Sequence, residues 1–145
     1  MALAVATVGG VGYAPVAPGT AGSLLTALFL WLVPFSRPAL ILFFLAVTLA
    51  GLWASGRAEQ ALGGKDPGPI VIDEVAGMTL TVLAVPLTPA ALGAGLVLFR
   101  LFDIAKPPPA RAVERLSGGS GVMADDLVAG LYALVVLGLG HALLT

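Results

Sequence analysis

Cysteine is absent from the chain, which excludes disulfides, thiolate metal sites and cysteine nucleophiles together. Histidine occurs once, as His141, so a catalytic triad has no support. Charge is also scarce. Only 10% of residues are charged, where a soluble domain carries about a quarter. The 7 basic and 8 acidic residues nearly cancel, and without a basic surplus nucleic acid is not an expected partner. No Lys or Arg opens the N-terminus, and its apolar run is broken by Gly9, Gly10 and Pro15. A secretory signal starts basic and stays apolar, so this segment is expected to remain in the mature protein.

What is abundant is apolar sequence: 59% hydrophobic residues and a mean hydropathy of +1.04. The 145 residues suffice for one domain, residues 1–145. Three segments read as membrane spans: Gly22 to Phe35, Pro38 to Gly56 and Leu127 to Leu144. Val75 to Phe102 is ambiguous, because Pro86-Leu87-Thr88-Pro89 cuts it into two short arms. Positive charge arbitrates. If the arms form a hairpin, Arg57, Lys65, Arg100, Lys106, Arg111 and Arg115 share one side, and only Arg37 lies opposite. That side is then cytoplasmic. The expected fold is all-α: a small polytopic membrane helical bundle of about three full spans plus a Pro-broken helical hairpin, with the polar motifs on the cytoplasmic face. Gly51 and Ser55, four apart, suit close helix packing within the chain or against a partner.

The acids fall on that same side, two pairs among them. Asp73-Glu74 and Asp125-Asp126 each precede an apolar stretch. Capping of a helix start accounts for one acid in each pair. Two adjacent acids at a membrane edge point further, since charge near hydrocarbon is costly and is kept for function. Carboxylates are the hard oxygen ligands that Mg²⁺ prefers. The strings DEVAG and DDLVAG around the pairs are alike, through duplication or through two solutions of one helix-start problem.

Arg100, Asp103 and Lys106 follow at spacings of three, on one helical face that ends at three prolines. Cations beside a carboxylate suit a phosphate next to a metal, and Arg111 lies close enough in sequence to join them. A basic stretch that merely meets anionic headgroups is the plainer reading. The glycine-rich stretches Gly9–Tyr13 and Ala17–Ser23 mark turns or a phosphate-approaching backbone, with Thr20 or Ser23 as a helix cap. Gly118-Gly119-Ser120-Gly121 reads first as a flexible loop before Asp125 and second as a phosphate cradle. The D-x-D string of aspartyl phosphatases and the D-G-x₂-A-R string of CDP-alcohol phosphotransferases are missing. Metal-activated water remains as the route to phosphoryl chemistry.

Four strings, GVGYAPVAPGTAGS, DPGPIVIDEVAGM, FRLFDIAKPPPARAVERL and GGSGVMADDLVAG, resemble the phosphatidylglycerophosphatase A family through nearly the whole chain. The resemblance implies Mg²⁺-dependent hydrolysis of phosphatidylglycerophosphate to phosphatidylglycerol and phosphate, in the bacterial cytoplasmic (inner) membrane. Carried over, its polar positions are Thr20, Asp73, Glu74, Arg100, Asp103, Lys106, Asp125 and Asp126. The expected roles are Glu74, Asp125 and Asp126 as metal ligands, with Asp103 acting on water and Asp73 ligating or supporting catalysis. Thr20, Arg100, Lys106 and Arg111 are expected on the substrate. A small transporter with discontinuous helices and a headgroup phosphotransferase are the rival readings.

Overall fold

In the computed structural model, residues 1–15, 17–63, 70–106, 108 and 118–144 are described, without the side chains of 118–120 and 122. Among them there is no strand. The helices are α1 (Ala2–Ala6), α2 (Pro18–Leu32), α3 (Arg37–Leu62), α4 (Ile72–Thr81), α5 (Pro89–Ala105) and α6 (Gly118–Leu144), with one 3-10 turn at Val11–Tyr13. Proline opens α2, α3 and α5 within their first two positions, where its missing N–H costs nothing. Ser36 and Thr88 cap α3 and α5 by accepting from Ala39 N and Ala91 N.

Two helices are long and apolar enough to cross a membrane: α3, and α6 from Met123 to Leu144. Only 22% of each spanning window is buried, whereas the core helix of a water-soluble fold is mostly buried. Helix α3 runs six residues past the expected end at Gly56. The expected first span is shorter than a bilayer. Its helix α2 has 15 residues, roughly 22 Å against about 30 Å of hydrocarbon.

The short arm α4 is the centre of the bundle. Nearly all of its residues are buried, and α2, α3, α5 and α6 pack around it. A ten-residue helix is tolerated there because neighbouring protein, not lipid, surrounds its ends. Thr79 and Thr81, both fully buried, donate back to the Val75 and Gly77 carbonyls. Outside, Leu24, Leu28, Trp31, Leu42, Leu49, Val97, Leu131 and Leu139 are exposed. Carboxylates inside and leucines outside invert the pattern of a soluble protein, and lipid is the solvent that suits this surface.

Helix α6 departs from expectation at its start. Gly118–Gly121 is its first turn, not a loop, and Asp125 and Asp126 sit two turns inside the helix. Tertiary packing overrides the weak helix propensity of glycine here. Gly121 and Met123 are buried, and the Met123 thioether fills the notch left by Gly51 on α3. Gly51 and Ser55 are thereby used within the chain.

At the end of the bundle away from the acids, Arg37 donates to the Leu83 carbonyl and, at 3.0 Å, to the Val85 carbonyl. It ties the start of α3 to the chain leaving α4. Arg37→Gln is expected to lower stability by about 1 kcal/mol, the scale of charge-assisted bonds at a half-exposed site, and to leave activity intact. A thermal melt in detergent that matches wild type would remove this role.

Candidate active site

Four helix ends meet at the other pole. The N-termini of α2 and α4, the C-terminus of α5 and the third turn of α6 line a cavity of about 310 Å³. Its charged lining is Asp73, Glu74, Arg100, Asp103, Lys106, Asp125 and Asp126, with Pro18, Gly19, Ile70, Val71 and Ile104 as walls. Asp73, Glu74, Asp125 and Asp126 are all under 10% exposed. Among the described residues, five carboxylates and two cations give this cavity a formal charge of −3.

Local structure accounts for the convergence. Asp73 and Glu74 occupy the first turn of α4, where Asp73 Oδ1 accepts the Glu74 N–H at 3.0 Å. Helix-start stabilisation is thus part of what Asp73 does. The acids of α6 lie beyond the first turn, so capping does not explain them. One turn past each pair, Gly77 and Gly130 cross in contact. A Cβ on Gly130 would stand 2.6 Å from the Gly77 carbonyl oxygen, and one on Gly77 would stand 2.4 Å from the Phe99 ring. The two similar strings therefore pack on each other, and their glycines let the acidic pairs face one cavity.

The cations are held by the acids. Arg100 Nη1 reaches Glu74 Oε2 at 3.0 Å and Asp103 Oδ2 at 2.6 Å. Lys106 Nζ reaches Asp125 Oδ2 at 2.6 Å and Asp103 Oδ1 at 3.7 Å. Burial works against the Lys106 ammonium, but the hydrogen bond to Asp125 and the charges of Asp125, Asp103 and Asp126 raise its pKa above the ordinary lysine value. Lys106 is a fixed positive charge. Its backbone is left-handed at φ 50°, a conformation that costs a non-glycine residue about 1 kcal/mol or more and accompanies functional sites. That turn ends α5 and places the ammonium against α6.

Donor chemistry fits a hard divalent cation. Asp73, Asp125 and Asp126 each offer an oxygen within 4.8 Å of the others, and Glu74, Asp103 and Asp126 do the same. Asp126 Oδ2 is buried with no hydrogen-bond partner among the described residues. The expected trio Glu74, Asp125 and Asp126 is therefore divided over two sets, with Asp73 and Asp103 as full members.

Thr20 is exposed, outside the lining, and caps nothing. Ser23, one turn on, instead donates to the Gly19 carbonyl at 2.8 Å and to Glu74 Oε2 at 3.3 Å. Gly19 is a site residue that charge-based reading misses. A Cβ there would lie 2.9 Å from Glu74 Oε1 and 3.0 Å from Arg100 Nη1. The only advance signal was the Gly/Pro-rich opening of α2. Arg111 lies outside the described residues, as do Lys65, Asp66, Glu114 and Arg115.

The family model of phosphatidylglycerophosphatase A matches residues 4–141. A Bacteroides thetaiotaomicron protein named "Putative phosphatidylinositol-3-phosphatase" is 40% identical over 88% of this chain and 86% of its own. Phosphatidylglycerophosphatase A of Escherichia coli (strain K12) is 38% identical over 88% of this chain and 76% of its own. The Haemophilus influenzae phosphatidylglycerophosphatase A is 38% identical over 88% and 81%. No solved structure matches. With the family model covering nearly all of it, the chain belongs to the phosphatidylglycerophosphatase A family.

Proposed function

We propose that this chain hydrolyses phosphatidylglycerophosphate to phosphatidylglycerol and inorganic phosphate, with Mg²⁺ as cofactor, at the cytoplasmic face of a bacterial inner membrane. The observation that carries the reading is the cavity itself: buried carboxylates and two cations at one pole of an apolar-surfaced bundle. Family membership supports the substrate, and the 38% identical relatives carry its name. The opposite pole, with Arg37 as its described basic residue, suits the outer leaflet. Helix α2 is the third span of this reading, tilting or thinning the bilayer to cross.

Asp73, Glu74, Asp125 and Asp126 would hold Mg²⁺. When bound, the ion supplies an activated water and polarises the phosphate. The remaining work falls to the chain. Asp103 holds Arg100 and Lys106 side by side at the cavity, where their charges neutralise the phosphate as its bond to glycerol breaks. The water oxygen forms the new bond to phosphorus and gives up a proton to solvent, and the glycerol oxygen leaves and takes a proton from solvent. Lys106, kept charged by its acids, serves as a clamp rather than as that proton's source. The amide end of α2 at Gly19 faces the same cavity, a favourable pole for an anion. The acyl chains stay in lipid.

The Bacteroides relative's name favours a second substrate, a phosphoinositide carrying a 3-phosphate. Both lipids are phosphate monoesters on a polyol headgroup, so one assay separates them. Purified protein in detergent is expected to release phosphate from phosphatidylglycerophosphate, and to lose that activity with EDTA and regain it with Mg²⁺. Faster release from phosphatidylinositol 3-phosphate would replace the substrate; release unaffected by EDTA would remove the metal.

A further inference from the structure

The acids of the cavity divide into two sets, and the division does not follow the chain. Asp73 and Glu74 are neighbours on α4, yet Asp73 groups with Asp125 and Asp126, while Glu74 groups with Asp103 and Asp126. Successive helical residues point about 100° apart, so one pair on α4 feeds both sides of the cavity. Asp126 alone belongs to both sets. It is 2% exposed, and its Oδ2 finds no hydrogen-bond donor among the described residues. A buried carboxylate oxygen without a donor is costly, and a cation on that oxygen resolves the cost.

Charge balance bears on the number of cations. Among the described residues the lining carries −3 when all its groups are ionised. One divalent ion leaves −1, and a phosphate monoester dianion returns the cavity to −3. Two divalent ions give +1, and the same substrate brings it to −1. A buried cavity tolerates the second balance better, because uncompensated charge in low dielectric is expensive. A carboxylate has lone pairs on both oxygens, so one side chain can serve two ions.

The geometry points to a dinuclear centre in which Asp126 is the shared ligand of two divalent cations, one completed by Asp73 and Asp125 and the other by Glu74 and Asp103. This rests on the metal-dependent reading above and deepens it. Shared ligation is compatible with the close spacing, about 3.5–4 Å, of the paired ions in two-metal phosphatases. The two described cations of the cavity are distributed to match. Arg100 touches both Glu74 and Asp103 and so marks the second position. Lys106 touches Asp125 and Asp103 and straddles the two.

The test is Mn²⁺ binding to the full chain in detergent, stripped with EDTA and titrated with inorganic phosphate present. Bound metal is counted by equilibrium dialysis, and coupling is read by electron paramagnetic resonance. Wild type is expected to take up two Mn²⁺ per chain with an exchange-coupled spectrum. Asp73→Asn and Asp103→Asn are each expected to keep one ion and show an uncoupled six-line signal. Saturation of wild type at one ion, or two ions without coupling, overturns the shared ligand, and no uptake overturns the centre altogether. Phosphate release measured on the same preparation separates this from the functional reading. Metal-dependent release from phosphatidylglycerophosphate with one bound ion keeps the function and ends the dinuclear centre. Two coupled ions without release from that lipid support the centre and end the substrate assignment.

Discussion

Asp126→Asn is expected to lower phosphate release on the order of 10³-fold while making the metal-free protein more resistant to heat. Removing one electrostatic partner at a phosphoryl site costs about 10²–10³ in turnover, and Asp126 belongs to both candidate ligand sets. Asparagine keeps the shape of the side chain, so packing at this fully enclosed position is preserved. What it removes is one carboxylate from a crowd of five that, among the described residues, line the cavity with two cations. Like charges in a buried site repel, and relieving that repulsion stabilises the fold. At this chain length, about 1 kcal/mol moves a melting temperature by roughly 3–5 °C. Magnesium should raise the melting temperature of wild type, because a ligand that binds only the folded state stabilises it. The variant should show little such rise. Higher stability in EDTA, no shift with Mg²⁺ and little activity would together mark a site whose charge is retained for function at the expense of stability. A variant that melts lower than wild type in EDTA, or keeps its Mg²⁺ shift, would deny Asp126 the central place among the ligands.

The acids were legible in sequence because few charges exist to choose from and seven of the fifteen line one cavity. The 3-residue spacing of Arg100, Asp103 and Lys106 was equally plain, and it becomes two ion pairs on one helical face. Grouping was harder. Which acid faces which depends on how α4 crosses α6, a tertiary quantity that local spacing does not contain. The start of α6 was hidden for a related reason. Gly118-Gly119-Ser120-Gly121 has the composition of a loop, yet helix begins there and Gly121 and Met123 are buried. The extent of α2 was overdrawn because Val33 to Phe35 continues the apolar run after the helix has ended at Leu32. Hydropathy measures affinity for lipid, not continuity of backbone. Ser23 and Gly19 stood out only as a helix cap and an anion-approaching glycine, because their contact with Glu74, far away in the chain, has no local signal.

Gly130→Ala is expected to impair the enzyme more than its single methyl group suggests. The added Cβ would stand 2.6 Å from the Gly77 carbonyl oxygen, 3.2 Å from its Cα and 3.3 Å from its carbonyl carbon. All three are backbone atoms, so no side chain can swing away and the helices themselves must part. Overpacking of this kind costs about 1–3 kcal/mol. The larger consequence falls one turn earlier, where Asp73 and Glu74 on α4 oppose Asp125 and Asp126 on α6. Mg²⁺ requires oxygen ligands near 2.0–2.1 Å in close to octahedral geometry, whereas Ca²⁺ accepts longer and looser shells. Parting the helices should therefore weaken Mg²⁺ about 10–100-fold, the scale of lost supporting contacts around a metal, and weaken Ca²⁺ less. Gly138→Ala supplies the control on the same helix, since a Cβ there meets nothing within 4 Å. It should leave metal binding untouched and, through better helix propensity, hold or raise stability by about 0.5–1 kcal/mol. Gly51→Ala lies between them: its Cβ would press on the Met123 thioether and methyl at 2.7 and 2.6 Å, atoms at the end of a flexible side chain, and would meet Ile72 Cγ1 at an ordinary 3.5 Å. The order of Mg²⁺ affinities is thus Gly138→Ala at the wild-type level, Gly51→Ala slightly below and Gly130→Ala far below. Isothermal titration of the three variants with Mg²⁺ and Ca²⁺ measures it directly. If Gly130→Ala bound Mg²⁺ as wild type does, the spacing of the acidic pairs would not depend on the glycine crossing, and the kinship of the two strings would carry no consequence for the site.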